Sequence, residues 1–197
     1  MREPPPKPEC DGQTVALAFT LHGLWPQPDT LAYCDVDATE VAIDRRGRWD
    51  LLPAIEVDEA TRAALDQAMP GAQSMLDRHE WIKHGTCYSQ SAEEYFDEAL
   101  RLLAELNASV VRELVVSRIG RSVRLDEVRA SFDSAFGQGA GRRVAMDCDR
   151  AGRRTLVAGL NLNLSGEITA DTGLADLLAM APVAAGSCRE GVVDQPG

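Results

Sequence analysis

The chain has 197 residues, with 20 Lys and Arg against 31 Asp and Glu, a formal net charge of −11. Its length suits one domain or two small ones, and 45% hydrophobic with 26% charged residues is a globular mixture, not a disordered one. No apolar run approaches the ~20 residues a membrane helix needs, and the acidic balance disfavours a non-specific binder of duplex DNA or anionic lipid. An enzyme acting on a polyanion stays open, provided that its site is locally cationic.

Residues 1–13 read as a Pro-rich leader without the apolar stretch of a secretory signal, and residues 14–197 as one domain. Val15 to Leu21 is an apolar run of strand length, ended by His22-Gly23. Residues 26–54, rich in Pro, Gly and Asp, read as loop with one short strand at most. Helices are expected over Asp58 to Met69, stopped by Pro70-Gly71, and over Ala72 to His84, stopped by Gly85. Ser91-Ala92-Glu93-Glu94 has the pattern of a capping box opening a third helix, Ala92 to Leu106. A fourth runs from Ser109 toward Ile119, and a fifth from an Asp126 cap to Phe136 with Gly137 as its stop. Val144 to Cys148 and Thr155 to Leu164 are strand-like, and an Ala- and Leu-rich helical turn precedes Pro182. Helices gathered in the middle with strands at both ends predict an α+β fold, not a repeated βαβ order.

The five cysteines, Cys10, Cys34, Cys87, Cys148 and Cys188, lie far apart with no C-x-x-C pair. Such spacing favours disulfides and an oxidising compartment over reduced core thiols. Two bridges drawn from five cysteines can be arranged in 5 × 3 = 15 ways, and spacing does not choose among them.

The three histidines, His22, His79 and His84, fall in two short stretches, FTLHGLWP (Phe19 to Pro26) and HEWIKHGTC (His79 to Cys87). Lys83, one of only two lysines, sits in the second. On a helix, positions 79, 83, 80 and 84 fall at about 0°, 40°, 100° and 140°, one face, with Ile82 and Met75 opposite. Leu76 interrupts that face and is expected to line the cleft wall. A solvated charged face with incidental histidines competes evenly with this reading for one helix taken alone. Zinc fits poorly: the H-E-x-x-H motif needs its second His at i+4, where Lys83 stands. Two or three imidazoles, a carboxylate and an ammonium suit metal-free acid–base chemistry at a phosphodiester, since histidine's pKa near 6.5 lets one ring hold a proton while another lacks one.

The two stretches resemble the active-site segments of the ribonuclease T2 family. The resemblance implies helices packed against a central antiparallel β-sheet, and cleavage of single-stranded RNA through a 2′,3′-cyclic phosphate with low base specificity and neither metal nor cofactor. It implies His22 as general acid, His84 as general base, Glu80 and Lys83 as stabilisers of the phosphorane and His79 as a phosphate ligand. Trp25 would stack on a base, although a core Trp behind the His22 segment is nearly as good a reading. The same resemblance pairs Cys34 with Cys87 and Cys148 with Cys188, each bridge worth roughly 4 kcal/mol in the chain-entropy view. Family members usually begin with a strand whose cysteine pairs at the position of Cys10. This chain carries no such strand, so Cys10 is expected to be a free thiol. A secreted or periplasmic monomer with RNA as substrate, no membrane and no obligate protein partner follows. The alternative is a catalytically impaired RNA-binding or protein-interaction relative with the same fold.

Overall fold

The structure is a computed structural model that describes residues 17–186 and 188–194. The leader and Cys10 lie outside the described residues. The chain divides into two compact units, the first Thr20–Leu103, the second built from residues 17–19 and those after 103.

The first unit is helical. α1 (Ala38–Asp44) is capped by Asp37, whose carboxylate accepts the Thr39 N–H at 2.7 Å. α2 (Glu59–Ala68) starts in the same way, Asp58 accepting the Thr61 N–H at 2.8 Å. Thr61 and Leu65, four residues apart, form its buried stripe, and the C-cap residue Met69 is buried beyond them. A 3₁₀ turn, Pro70–Ser74, follows, and Met75 at φ +61° separates it from α3 (Leu76–Lys83). The expected start of this helix at Ala72 is therefore corrected to Leu76, because Pro70-Gly71 and the left-handed Met75 use four residues to redirect the chain. α4 (Ala92–Asn107) packs Tyr95, Phe96 and Ala92 with Leu65, Met69 and Ile55 into the core of this unit. Leu76, partly buried, packs against that cluster. The segment 26–54, expected as loop, holds α1 and a 3₁₀ turn at Trp49–Leu51.

The second unit carries the sheet. β1 (Ser122–Arg124), β2 (Val144–Ala151), β3 (Arg154–Leu162) and β4 (Glu190–Val192) lie in the order β1-β4-β3-β2. β2 and β3 form an antiparallel hairpin and β1 pairs antiparallel with β4, whereas β3 and β4 meet in parallel at Leu156 and Val192. The sheet is thus mixed within the expected α+β class. α5 (Val110–Ser117), α6 (Leu125–Phe136) and α7 (Leu174–Met180) supply Val111, Val128, Phe132, Leu174, Leu177 and Leu178 to its core. The cap of α6 is Arg124, two residues before the expected Asp126.

Residues 17–21 form no strand, in contrast to the expectation for Val15 to Leu21. In the second unit the Asn107 amide holds the Phe19 backbone at both ends, accepting its N–H at 2.8 Å and donating to its carbonyl at 3.0 Å. In the first, the Leu21 N–H donates to the Ala68 carbonyl at 2.7 Å. Side-chain and helix-end partners thus satisfy these backbone groups in place of a ladder. Cys34–Cys87 and Cys148–Cys188 are the two bridges, the pairing that the family resemblance implied.

Candidate active site

The site lies in the first unit, where α3 ends beside the His22 segment. α3 carries His79, Glu80 and Lys83, and His84 caps its C-terminus with its N–H on the Glu80 carbonyl at 3.0 Å. Gly85 follows because a Cβ there would overlap the Trp81 ring and lie 3.2 Å from Tyr95 Cδ1. Gly23 is needed for a related reason: a Cβ there would overlap Glu80 Oε2 and stand 3.1 Å from the Tyr95 hydroxyl. Tyr95 fixes the next residue, its hydroxyl accepting the Leu24 N–H at 3.0 Å and donating to the Leu24 carbonyl at 2.9 Å. His22 and Trp25 are thereby pinned on either side of a pair held by a buried phenol.

Glu80 is the hub. It is 1% exposed, its Oε2 accepts the Trp25 indole N–H at 2.8 Å, and its Oε1 lies 3.2 Å from His22 Nε2 and 3.9 Å from His79 Nε2. Burying a carboxylate costs several kcal/mol unless donors compensate it. The Trp25 indole does so at Oε2, while Oε1 makes no hydrogen bond among the described residues and has the His22 and His79 imidazoles as its charged neighbours. Trp25 is 42% exposed, its ring 5.3 Å from that of His22 and 5.7 Å from that of His84. It is therefore no core residue: its edge serves Glu80 and its body stays open to solvent.

The histidines differ in setting. The His22 side chain is 64% exposed. His84 is half-buried, and its Nδ1 finds no hydrogen-bond partner among the described residues. Burial holds the His84 pKa below its ordinary value; the Glu80 charge opposes this, and Lys83, His79 and His22 reinforce it. Four of the five ionisable residues predicted from the sequence therefore act electrostatically on the fifth. Lys83 is half-buried and contributes through its charge. Among the described residues no three of His, Cys, Asp and Glu converge on a common metal position.

Sequence reasoning missed Asp44, Tyr33 and Trp49. Asp44 ends α1 and reaches His79 Nδ1 at 2.7 Å, while its other oxygen accepts the Tyr33 hydroxyl at 2.8 Å. Trp49 stacks on the His79 imidazole with centroids 4.5 Å apart and planes 22° from parallel. A signal for α1 was present: Asp37 with Glu40 three residues on, ahead of Val41 and Ile43, is an N-terminal signature.

The sequence model of the ribonuclease T2 family matches residues 3–169. The chain belongs to the ribonuclease T2 family. Among its relatives, ribonuclease I of Escherichia coli (strain K12) is 30% identical over 160 residues, 71% of this chain and 60% of that protein. Ribonuclease 1 of Arabidopsis thaliana and extracellular ribonuclease LE of Solanum lycopersicum are each 30% identical, over 126 and 129 residues, 62% of this chain and 53% of each of those proteins. The chain thus spans between half and two thirds of the length of these curated relatives. In this family frame both histidine stretches, His22 to Trp25 and His79 to His84, meet in one constellation around Glu80.

Proposed function

We propose that this chain is a ribonuclease T2-type endoribonuclease that cleaves single-stranded RNA by metal-independent transesterification through a 2′,3′-cyclic phosphate, with low base specificity. The observation that carries this reading is the asymmetry around Glu80: one imidazole is half-buried with a lowered pKa, and another is exposed against the carboxylate. In the proposed reaction His84, neutral near pH 7, removes the 2′-hydroxyl proton, and the freed oxygen attacks the adjacent phosphorus. His22 donates a proton to the departing 5′-oxygen, so the phosphodiester opens to a cyclic phosphate and a free hydroxyl. Glu80 and Lys83 stabilise the phosphorane, Lys83 by its cationic charge and Glu80 by holding the imidazoles and Trp25 in place. His79 binds a phosphate oxygen. The open Trp25 ring stacks on a base, a contact worth roughly 1–3 kcal/mol and tolerant of sequence because every base has a π-face.

The substrate is RNA, and the chain works as a monomer with no obligate protein partner. Among the described residues no helix is long and apolar enough to cross a membrane. Two disulfides favour a secreted or periplasmic location, where thiols stay oxidised. Incubating purified protein with homopolymeric RNAs in EDTA tests the reading. The expected products are fragments with 2′,3′-cyclic phosphate ends from each polymer and none from DNA. A requirement for added metal, or RNA binding without cyclic product, would overturn it.

A further inference from the structure

His79 has a positioning apparatus of its own. Asp44, at the C-terminal end of α1, is 4% exposed and lies 2.7 Å from His79 Nδ1. A carboxylate accepts and does not donate once ionised, so the proton in this contact resides on Nδ1. The second Asp44 oxygen is taken by the Tyr33 hydroxyl at 2.8 Å. Tyr33 is itself tied to α3, because its backbone N–H donates to the Lys83 carbonyl at 3.0 Å. It holds a left-handed backbone, φ +58°, which a bulky residue adopts only where its surroundings over-determine it. The Arg45 guanidinium lies over its ring, 5.4 Å from the centroid. Trp49 covers a face of the imidazole. His79 is therefore clamped at one edge and one face, its side chain only 16% exposed, and Nε2 is the ring atom that lies toward Glu80 Oε1 at 3.9 Å.

We propose that Tyr33 and Asp44 are positioning residues that lock His79 with Nδ1–H on the carboxylate and present Nε2 to the substrate phosphate. The inference rests on the ribonuclease reading of this site. Neutral imidazole in water favours a proton on Nε2; the Asp44 contact reverses that preference, as a carboxylate behind a working histidine does elsewhere. With Nδ1 committed, whatever Nε2 offers is aimed into the site: a lone pair on the neutral ring, or an N–H for a phosphate oxygen once a second proton is bound. Without Asp44 the ring can turn, and the proton aimed at the phosphate is no longer fixed.

Long-range ¹H–¹⁵N correlation spectra of histidine-labelled protein, recorded with rising pH until the ring signals no longer change, read the tautomer directly. The wild type is expected to show His79 protonated on Nδ1, and Asp44→Asn to lose that preference. On an RNA oligonucleotide Asp44→Asn should lower kcat/KM by roughly 10–100-fold, as loss of an orienting partner does. In a His79→Ala background the same substitution should cost nothing more, because Asp44 acts through His79. Tyr33→Phe, which removes a hydrogen bond and no charge, should give a several-fold fall that also vanishes in the His79→Ala background. This keeps the test open if Asp44→Asn does not fold. An Nε2–H tautomer in the wild type, or losses that add in the double variants, would overturn the proposal. Protein with the Nδ1–H tautomer but no cleavage activity would overturn instead the ribonuclease reading, and with it any catalytic use of the clamp.

Discussion

The segment from His22 to Trp25 and the end of α3 each present a histidine that feels the Glu80 charge, but they are built in opposite ways. His22 and Trp25 stand on irregular chain, exposed, and are held from behind by Leu24 on the Tyr95 hydroxyl. His84 closes a helix, half-buried, with a ring nitrogen out of reach of any described partner. In the proposed reaction two residues of one chemical type thereby take different work. Desolvation disfavours the charged form, so the burial that lowers the His84 pKa makes it the ring free to accept a proton, while His22 stays in contact with solvent and a carboxylate.

Removing either side of this contrast should have the largest effect. His84→Ala and His22→Ala should each reduce kcat by roughly 10²–10⁴-fold, the range for a positioned acid or base. The two should differ in pH dependence. Loss of His84 should abolish the acid limb of the pH–rate profile, and loss of His22 should leave it in place. Retention of that limb in His84→Ala would show that another group is the base.

Glu80 is what the two regions share. Glu80→Gln keeps an acceptor for the Trp25 indole but removes the charge beside His22 and His84, and should cost roughly 10²–10³-fold in kcat. Folding should survive, because an uncharged amide is cheaper to bury than a carboxylate. A comparable far-ultraviolet spectrum with near-wild-type kcat would mean that the charge at the hub is idle.

A single methyl group should upset the same hub from the other side. In Gly23→Ala the new Cβ would overlap Glu80 Oε2 and crowd the Tyr95 hydroxyl, so the carboxylate or the His22 segment must move. Misplacement of a reacting group by about 1 Å can cost roughly 10²-fold in rate, and overpacking of this kind roughly 1–3 kcal/mol in stability. Steady-state kinetics and thermal unfolding measure the two separately. Wild-type values for both would show that the approach of Gly23 to Glu80 is not obligatory.

The same contrast explains what could be read from the sequence. Helices with a cap, a stripe and a stop, such as α2 and α4, were legible to within a residue or so because local rules decide them. So was the joint presence of His79, Glu80 and His84, since helical spacing needs no tertiary information. α1 was hidden by the Pro, Gly and Asp around it, although Asp37 and Glu40 marked its start. With α1 went Asp44, because no local rule announces a partner 35 residues from the histidine it holds. The run before His22 misled in the opposite direction. Its apolar residues have strand propensity, but Asn107 and the end of α2 satisfy the backbone where a neighbouring strand would have done so. Burial of Glu80 was likewise beyond reach, since a helical wheel shows which residues share a face and not what covers it.

The smallest effect sharpens the comparison most. Lys83 stabilises negative charge in the proposed transition state, and its cation also pushes the His84 pKa down, whereas Glu80 pushes it up. A general base must be deprotonated, so kcat/KM falls as pH drops through the pKa of that base in the free enzyme. With His84 as that base, its burial puts the acid limb below the ordinary imidazole value near 6.5. Lys83→Met removes a downward push, so the His84 pKa rises and the limb moves to higher pH. Glu80→Gln removes the upward push, and the limb moves to lower pH. Away from the limb, Lys83→Met should cost roughly 10-fold in kcat, less than the loss of Glu80, because the cation is half-exposed and screened. The opposed shifts should appear in pH–rate profiles of the two variants measured at one ionic strength, and should shrink for Lys83 as salt is added. Limbs that moved in the same direction would mean that His84 is not the titrating base, whatever its alanine variant costs.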